Sequence, residues 1–162
     1  MKDCDINTGK LLDVGSLDTN EVNNNLRGDL VEFDYIGIDM RPGKNVDIVM
    51  NAHDIRKNFE EELFDVVICM DTLEHDDKFW VTLENMKWVL KKGGWLVVGA
   101  PSLGHGIHRH PKDYWRFTED SFKEVIFGDM EDVFVDVQYY QSKNPYMPDQ
   151  VFGWGRRIND RL

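Results

Sequence analysis

Short apolar runs separated by polar and glycine-containing breaks organise this chain, and their lengths mark several of them as strands. The run Lys10-Leu-Leu-Asp-Val-Gly-Ser16 breaks at Asp13 and Gly15, the pattern of a buried strand entering a tight turn. Tyr35-Ile-Gly-Ile38 gives a second strand ending at Asp39. Val46-Asp-Ile-Val-Met50 gives a third, after the Arg41-Pro42-Gly43 turn. Phe64-Asp-Val-Val-Ile-Cys-Met70 is nearly all apolar and β-branched, which predicts a central strand buried on both faces. Trp95-Leu-Val-Val-Gly99 is the fifth, and residues 133–140 and 151–157 complete the sheet.

Between the strands the period lengthens. Phe79, Leu83, Met86 and Leu90 recur at helical spacing, and Lys91-Lys92 before Gly93-Gly94 suit that helix's C-terminus. Thr118, followed by Glu119 and Asp120, predicts a helix start, with Phe122, Val125 and Ile126 facing inward and a stop at Gly128. Residues 17–30 contain Asn23, Asn24, Asn25 and Gly28, poor helix formers, so a short or irregular helix is expected there. Strands alternating with helical segments imply parallel pairing through right-handed crossovers, an α/β architecture.

In such a sheet, ligands bind beyond the carboxyl ends of the strands. Asp39, 24 residues past Gly15, can accept hydrogen bonds from both hydroxyls of a ribose. The glycine count then chooses between ligands. A pyrophosphate needs the close backbone approach of G-x-G-x-x-G, whereas Gly15-Ser16-Leu17-Asp18-Thr19-Asn20 has one glycine and an acid. That disfavours a nicotinamide dinucleotide. S-adenosylmethionine has a ribose, no phosphate and two cationic groups, so an acidic loop suits it. Against this stands the plain alternative that Gly15 closes a turn and Asp18 caps the next segment. Asp54, in the polar cluster Asn51-Ala-His-Asp54-Ile55, could take an adenine amine or merely cap residues 56–62.

Composition narrows the class. The 162 residues, 41% hydrophobic and 12% aromatic, fit a single domain over residues 1–162. A formal net charge of −11 disfavours nucleic acid and anionic membrane surfaces. Cys4 and Cys69 form neither a C-x-x-C pair nor a disulfide framework, and no apolar run approaches a membrane span, so a cytoplasmic protein is expected.

In order and spacing, Leu12-Asp13-Val14-Gly15-Ser16, Ile36-Gly37-Ile38-Asp39, Asn51-Ala52-His53-Asp54-Ile55, Phe64-Asp65-Val66-Val67, Leu73-Glu74-His75 and Leu90-Lys91-Lys92-Gly93-Gly94-Trp95-Leu96 resemble a class I S-adenosylmethionine-dependent methyltransferase of the small, broad-specificity type. The resemblance spans residues from about 10 to 102. It implies a Rossmann-like seven-stranded, mostly parallel sheet with helices on both faces and the last strand antiparallel. It carries cofactor contacts onto Asp13, Gly15, Ser16 and Asp18, onto Asp39 and Met40, onto His53 and Asp54, and onto Met70, Asp71 and Leu73. Gly15 takes the methionine end, Asp39 the ribose and Asp54 the adenine. Two departures stand out. The loop keeps one glycine, so Ser16, Asp18 and Asn20 must replace backbone contacts made elsewhere by glycines. The helices that usually lid the cofactor ahead of the first strand have no room here, so the site is expected either to stay open or to be closed by a homodimer or protein partner.

The segment His110-Pro-Lys-Asp113-Tyr114-Trp115-Arg116-Phe117-Thr118 resembles the H-P-x-D-Y-W-R-F-T run of methyltransferases associated with glycan or small-molecule modification. It follows the fifth strand on the ligand side. His108 or His110 could serve as a general base, and Asp113, Tyr114 and Arg116 as acceptor contacts, with Arg116 forking onto an anionic group. The plainer alternative has Arg109 and Arg116 paired with surface acids, and the aromatic residues serving as packing. The histidine spacing matches none of the zinc signatures, so no metal is expected. Methyl transfer to a small-molecule or glycan-like acceptor is the leading reading, and a catalytically silent cofactor-binding or partner-interaction domain the alternative.

Overall fold

The computed structural model describes residues 7–18, 26–140, 144 and 146–159. Cys4, Thr19, Asn20 and Asn23 to Asn25 lie outside the described residues. Seven strands form one sheet: β1 (Gly9–Val14), β2 (Phe33–Asp39), β3 (Ile48–Val49), β4 (Phe64–Met70), β5 (Leu90–Pro101), β6 (Met130–Gln138) and β7 (Gln150–Arg157). Their order is β3-β2-β1-β4-β5-β7-β6. The first five pair in parallel, and β7 runs antiparallel to both its neighbours.

Hydrophobic alternation explains the two layers. Leu12, Val14, Val67, Cys69, Leu96 and Val98 face the larger core, under α2 (Ile55–Asn58), α3 (Phe79–Val89) and α4 (Glu119–Ser121) with the π-helical turn Phe122–Ile126 that continues it. Leu11, Tyr35, Val66 and Ile68 face the other side, where α1 (Leu26–Asp29) supplies Leu26. β4 is therefore buried on both faces, as its composition predicts.

Several boundaries differ from the pattern. Leu90, the last member of the apolar stripe on α3, is the first residue of β5, because it pairs with Phe64 as soon as the helix ends. Lys91 and Lys92 thus belong to the sheet, in a bulge where Lys91 reaches the Asp65 carboxylate at 2.8 Å. Only two residues of the third strand pair with β2; its flanks are held by Asp47 N–H to Gly37 O and Met50 N–H to Asp39 O. Thr118 caps α4 through a reciprocal bond with Ser121, and Phe122 and Ile126 are buried as expected. Val125 is not: it is 54% exposed, because the wider π turn, closed by Phe127 N–H to Phe122 O, rotates it outward and puts Phe127 in the core.

Candidate active site

At the carboxyl end of β1 the chain must turn sharply while two amides stay paired. Gly15 and Ser16 both donate to the carbonyl of Ile38, at 2.9 and 3.0 Å, which ties the turn to β2. Gly15 sits at φ 81°, and a Cβ there would lie 1.9 Å from Thr72 Oγ1. Only glycine meets both demands. The turn opens on a cavity of about 760 Å³ beyond the ends of β1, β2 and β4, within the usual size of small-molecule sites.

Of the residues named from sequence, Gly15, Asp39, Met40, His53 and Asp71 line this cavity, together with His108, His110 and Tyr114. Asp39 closes β2, and its Oδ1 accepts from Arg41 N–H at 2.8 Å. His53 is fixed by Asp76, whose two oxygens each lie 3.0 Å from its Nε2, and Asn85 donates to the carbonyls of Ala52 and His53. Asp71, at φ 47°, accepts from Gln150 Nε2 at 2.7 Å.

The remaining cofactor candidates stand elsewhere. The Asp13 carboxyl is buried on the smaller core face and accepts a short hydrogen bond from Tyr35; burial, opposed by that bond, raises it to about 6. Asp18 accepts from Lys44 Nζ at 2.6 Å. Asp54 occupies the cap position of α2 without a side-chain cap bond, and pairs with Lys57 instead. Leu73 is a fully buried core residue, Met70 packs over Gly99, and Ser16 Oγ is buried with no hydrogen-bond partner among the described residues.

The opposite wall is a strap, residues 104–118, lashed to the loop after β4. Tyr114 N–H donates to Glu74 O at 2.7 Å, Trp115 Nε1 to Asp76 O at 2.8 Å, and His75 Nδ1 to Lys112 O at 2.5 Å. Arg116 forks onto Asp113 at 2.5 and 2.8 Å and also donates to the carbonyls of His105, Gly106 and Trp115. Its hydrogen bonds hold the Asp113 carboxyl well below the usual carboxylate range. Both residues therefore brace the strap from outside the cavity lining, and the acid that engages Arg116 is Asp113, whose side chain is only 3% exposed, rather than a surface acid. Burial lowers His108, favouring its neutral ring. The ring nitrogens of His110 carry no hydrogen bond among the described residues.

A family model described as a methyltransferase domain matches residues 12–98, more than half of the sequence. The chain belongs to the S-adenosylmethionine-dependent methyltransferase family. No curated protein matches this methyltransferase in sequence. Among solved structures, a methyltransferase of Archaeoglobus fulgidus is 14% identical with a TM-score of 0.69, over 93% of this chain and 86% of that one. The phosphoethanolamine N-methyltransferase 2 of Haemonchus contortus, solved with S-adenosyl-L-methionine, is 15% identical with a TM-score of 0.67, over 94% of this chain and 49% of its own. The methyltransferase thus spans about half the length of that enzyme. A putative methyltransferase of Haloferax volcanii, in complex with the activator Trm112, is 14% identical with a TM-score of 0.66, over 94% and 83% of the two chains. At such identities the likeness is one of fold.

Among the residues that sequence reasoning did not assign to the site, Asp76, Glu74 and His75 hold it together. Asp76 binds His53, Thr82 Oγ1 and Lys78 N–H with its side chain. Glu74 and His75 lie under the strap. Their signal was the Leu73-Glu74-His75 fragment and the acids that follow it after the fourth strand, and nothing local says that a strap some forty residues on will cover them.

Proposed function

We propose that this chain transfers a methyl group from S-adenosylmethionine to a small-molecule or glycan-like acceptor held beneath the strap. The observation that carries this reading is a single cavity whose one end is the Gly15 turn with Asp39 and whose other is the histidine-rich strap. Its acids, Asp39, Asp71, Asp76 and Asp77, suit a ligand with ammonium and sulfonium charges. When bound, that cofactor supplies an electrophilic methyl group. Gly15 lets the backbone approach the methionine end, and Asp39 accepts from the ribose hydroxyls. Asn51, Ala52 and His53 line the wall where the adenine belongs, so they stand in for Asp54 there.

The protein's chemical task is then alignment and exclusion of water. Where the acceptor must lose a proton, His110 lines the cavity to take it, its ring nitrogens unengaged among the described residues, and Tyr114 supplies an exposed aromatic edge for the acceptor. Assembly with a second copy or another protein belongs to the same proposal. The exposed Met40 and Tyr114 at the cavity mouth support it, and the Haloferax volcanii relative is in complex with an activator. Light scattering that finds a monomer with full activity would remove this part.

Screening acceptors for release of S-adenosylhomocysteine tests the proposal. Release dependent on both acceptor and His110 supports it; cofactor binding with no release across hydroxyl, amine and sugar acceptors favours a catalytically silent domain.

A further inference from the structure

Beneath the strap, a buried carboxylate meets two imidazoles with nothing to satisfy it. Glu74 is fully buried, and among the described residues neither of its carboxylate oxygens has a hydrogen-bond partner. Native interiors rarely leave such a group unpaired without a role for it. Its Oε1 lies 3.5 Å from His75 Nε2 and 3.3 Å from His108 Nε2. One ligand atom from each of the three residues falls within 4.8 Å of the other two. A tetrahedral ion with bonds of about 2.1 Å holds its ligand atoms about 3.4 Å apart. The Glu74 separations already match that spacing.

The second layer fixes the tautomers in the required sense. His75 Nδ1 faces the Lys112 carbonyl, which can only accept, so the proton sits on Nδ1 and Nε2 presents its lone pair toward Glu74. His108 Nδ1 is buried and, among the described residues, without a hydrogen-bond partner, 3.6 Å from Asp113 Oδ2, and the His108 backbone N–H holds that same oxygen at 2.7 Å. A proton on this Nδ1 would be drawn to Asp113, leaving Nε2 for an ion. Asp113 is itself held by the Arg116 fork. A carboxylate behind a ligating histidine is how metal sites orient their ligands.

We propose that Glu74, His75 and His108 bind a divalent first-row transition ion of the zinc type, with a fourth position opening on the cavity. Two imidazoles and one carboxylate are a donor set for such ions, whereas magnesium and calcium take oxygen alone. His75 and His108 both line the cavity, so the open position meets whatever acceptor enters it. Sequence spacing hid the site because Glu74 and His75 follow β4 while His108 lies on the strap, and contiguous zinc signatures do not describe ligands from two segments. The site does not depend on the methyl-transfer reading.

The test uses the full chain without a histidine tag, stripped with a chelator and titrated calorimetrically with Zn²⁺. One ion per chain is expected in a saturable step, and Co²⁺ in its place is expected to show the intense visible bands of a four-coordinate site. Glu74→Gln, His75→Ala and His108→Ala should each weaken uptake by at least about 100-fold, since outer partners alone are worth roughly 10–100-fold. Asp129→Asn, at a surface pair with Lys87, should leave uptake unchanged. If Glu74→Gln does not fold, the Zn²⁺-dependent rise in melting temperature, present in the parent and lost in the two histidine variants, decides the matter. No saturable uptake by the parent, or uptake that survives the substitutions, overturns the proposal. S-adenosylmethionine affinity measured on the same samples separates failure of the metal site from failure of the cofactor site.

Discussion

Gly15 shows how much one residue can fix. Its left-handed φ and its contact with Thr72 act together, so Gly15→Ala should destabilise the fold by about 1–3 kcal/mol from backbone strain alone, with the clash added. Urea denaturation checks this, and Gly15→Ala with Thr72→Ala should recover only the clash. Asp13 makes a different kind of statement. Burial lifts its carboxyl from 3.8 to about 6, so its contribution to stability is complete below pH 3.8 and is lost as pH rises through about 6. Across that window the loss runs at up to about 1.4 kcal/mol per pH unit for one proton. Asp113 acts in the opposite sense: its depressed carboxyl stabilises at neutral pH and loses that contribution as the solution is acidified. Denaturation from pH 4 to 7 should therefore show a downward contribution from Asp13 that Asp13→Asn abolishes. A slope unchanged by that substitution would place the titration elsewhere.

At the scale of elements, the sheet was readable and its edges were not. Apolar runs marked β1, β2, β4, β5, β6 and β7, because buried strands leave a dense apolar record, though β6 begins at Met130 rather than Val133. β3 was overestimated, since its neighbours bond to β2 through turns rather than a ladder. The π turn after α4 was invisible, because Val125 and Phe127 are both apolar and only the backbone decides which goes inside. The strap was legible as a ligand-side segment with unusual chemistry, yet not in its bonding: Arg116 looks like an anion fork in sequence and acts as a brace in three dimensions. Arg116→Ala should therefore loosen the strap, lowering turnover while cofactor affinity holds. Amide exchange is the discriminating readout, with the His108 N–H, bonded to Asp113, exchanging faster in the variant. Arg116→Lys should fail to restore protection, because an ammonium cannot make the bidentate contact. Unchanged exchange would deny the bracing role.

On the scale of the whole molecule, fold and charge agree on what the chain can meet. No helix among the described residues is long and apolar enough to cross a membrane. The net charge of −11 opposes phosphate-rich partners, while the acids gathered at the ends of β2 and β4 favour a cationic ligand. Family membership came through ordered fragments whose residues are close in sequence, such as the Gly15 turn and Asp39. The opposite wall joins the strap to the loop after β4, segments far apart in sequence, and that joining stayed hidden. The central claim is that the cavity at Gly15 and Asp39 takes S-adenosylmethionine, and calorimetry of the parent and Asp39→Ala with S-adenosylmethionine and with NAD tests it most directly. Saturable one-to-one binding of S-adenosylmethionine, no heat with NAD, and a loss of about 1–3 kcal/mol in the variant are expected. Binding of NAD in its place, or S-adenosylmethionine affinity unchanged in a folded Asp39→Ala protein, would contradict it.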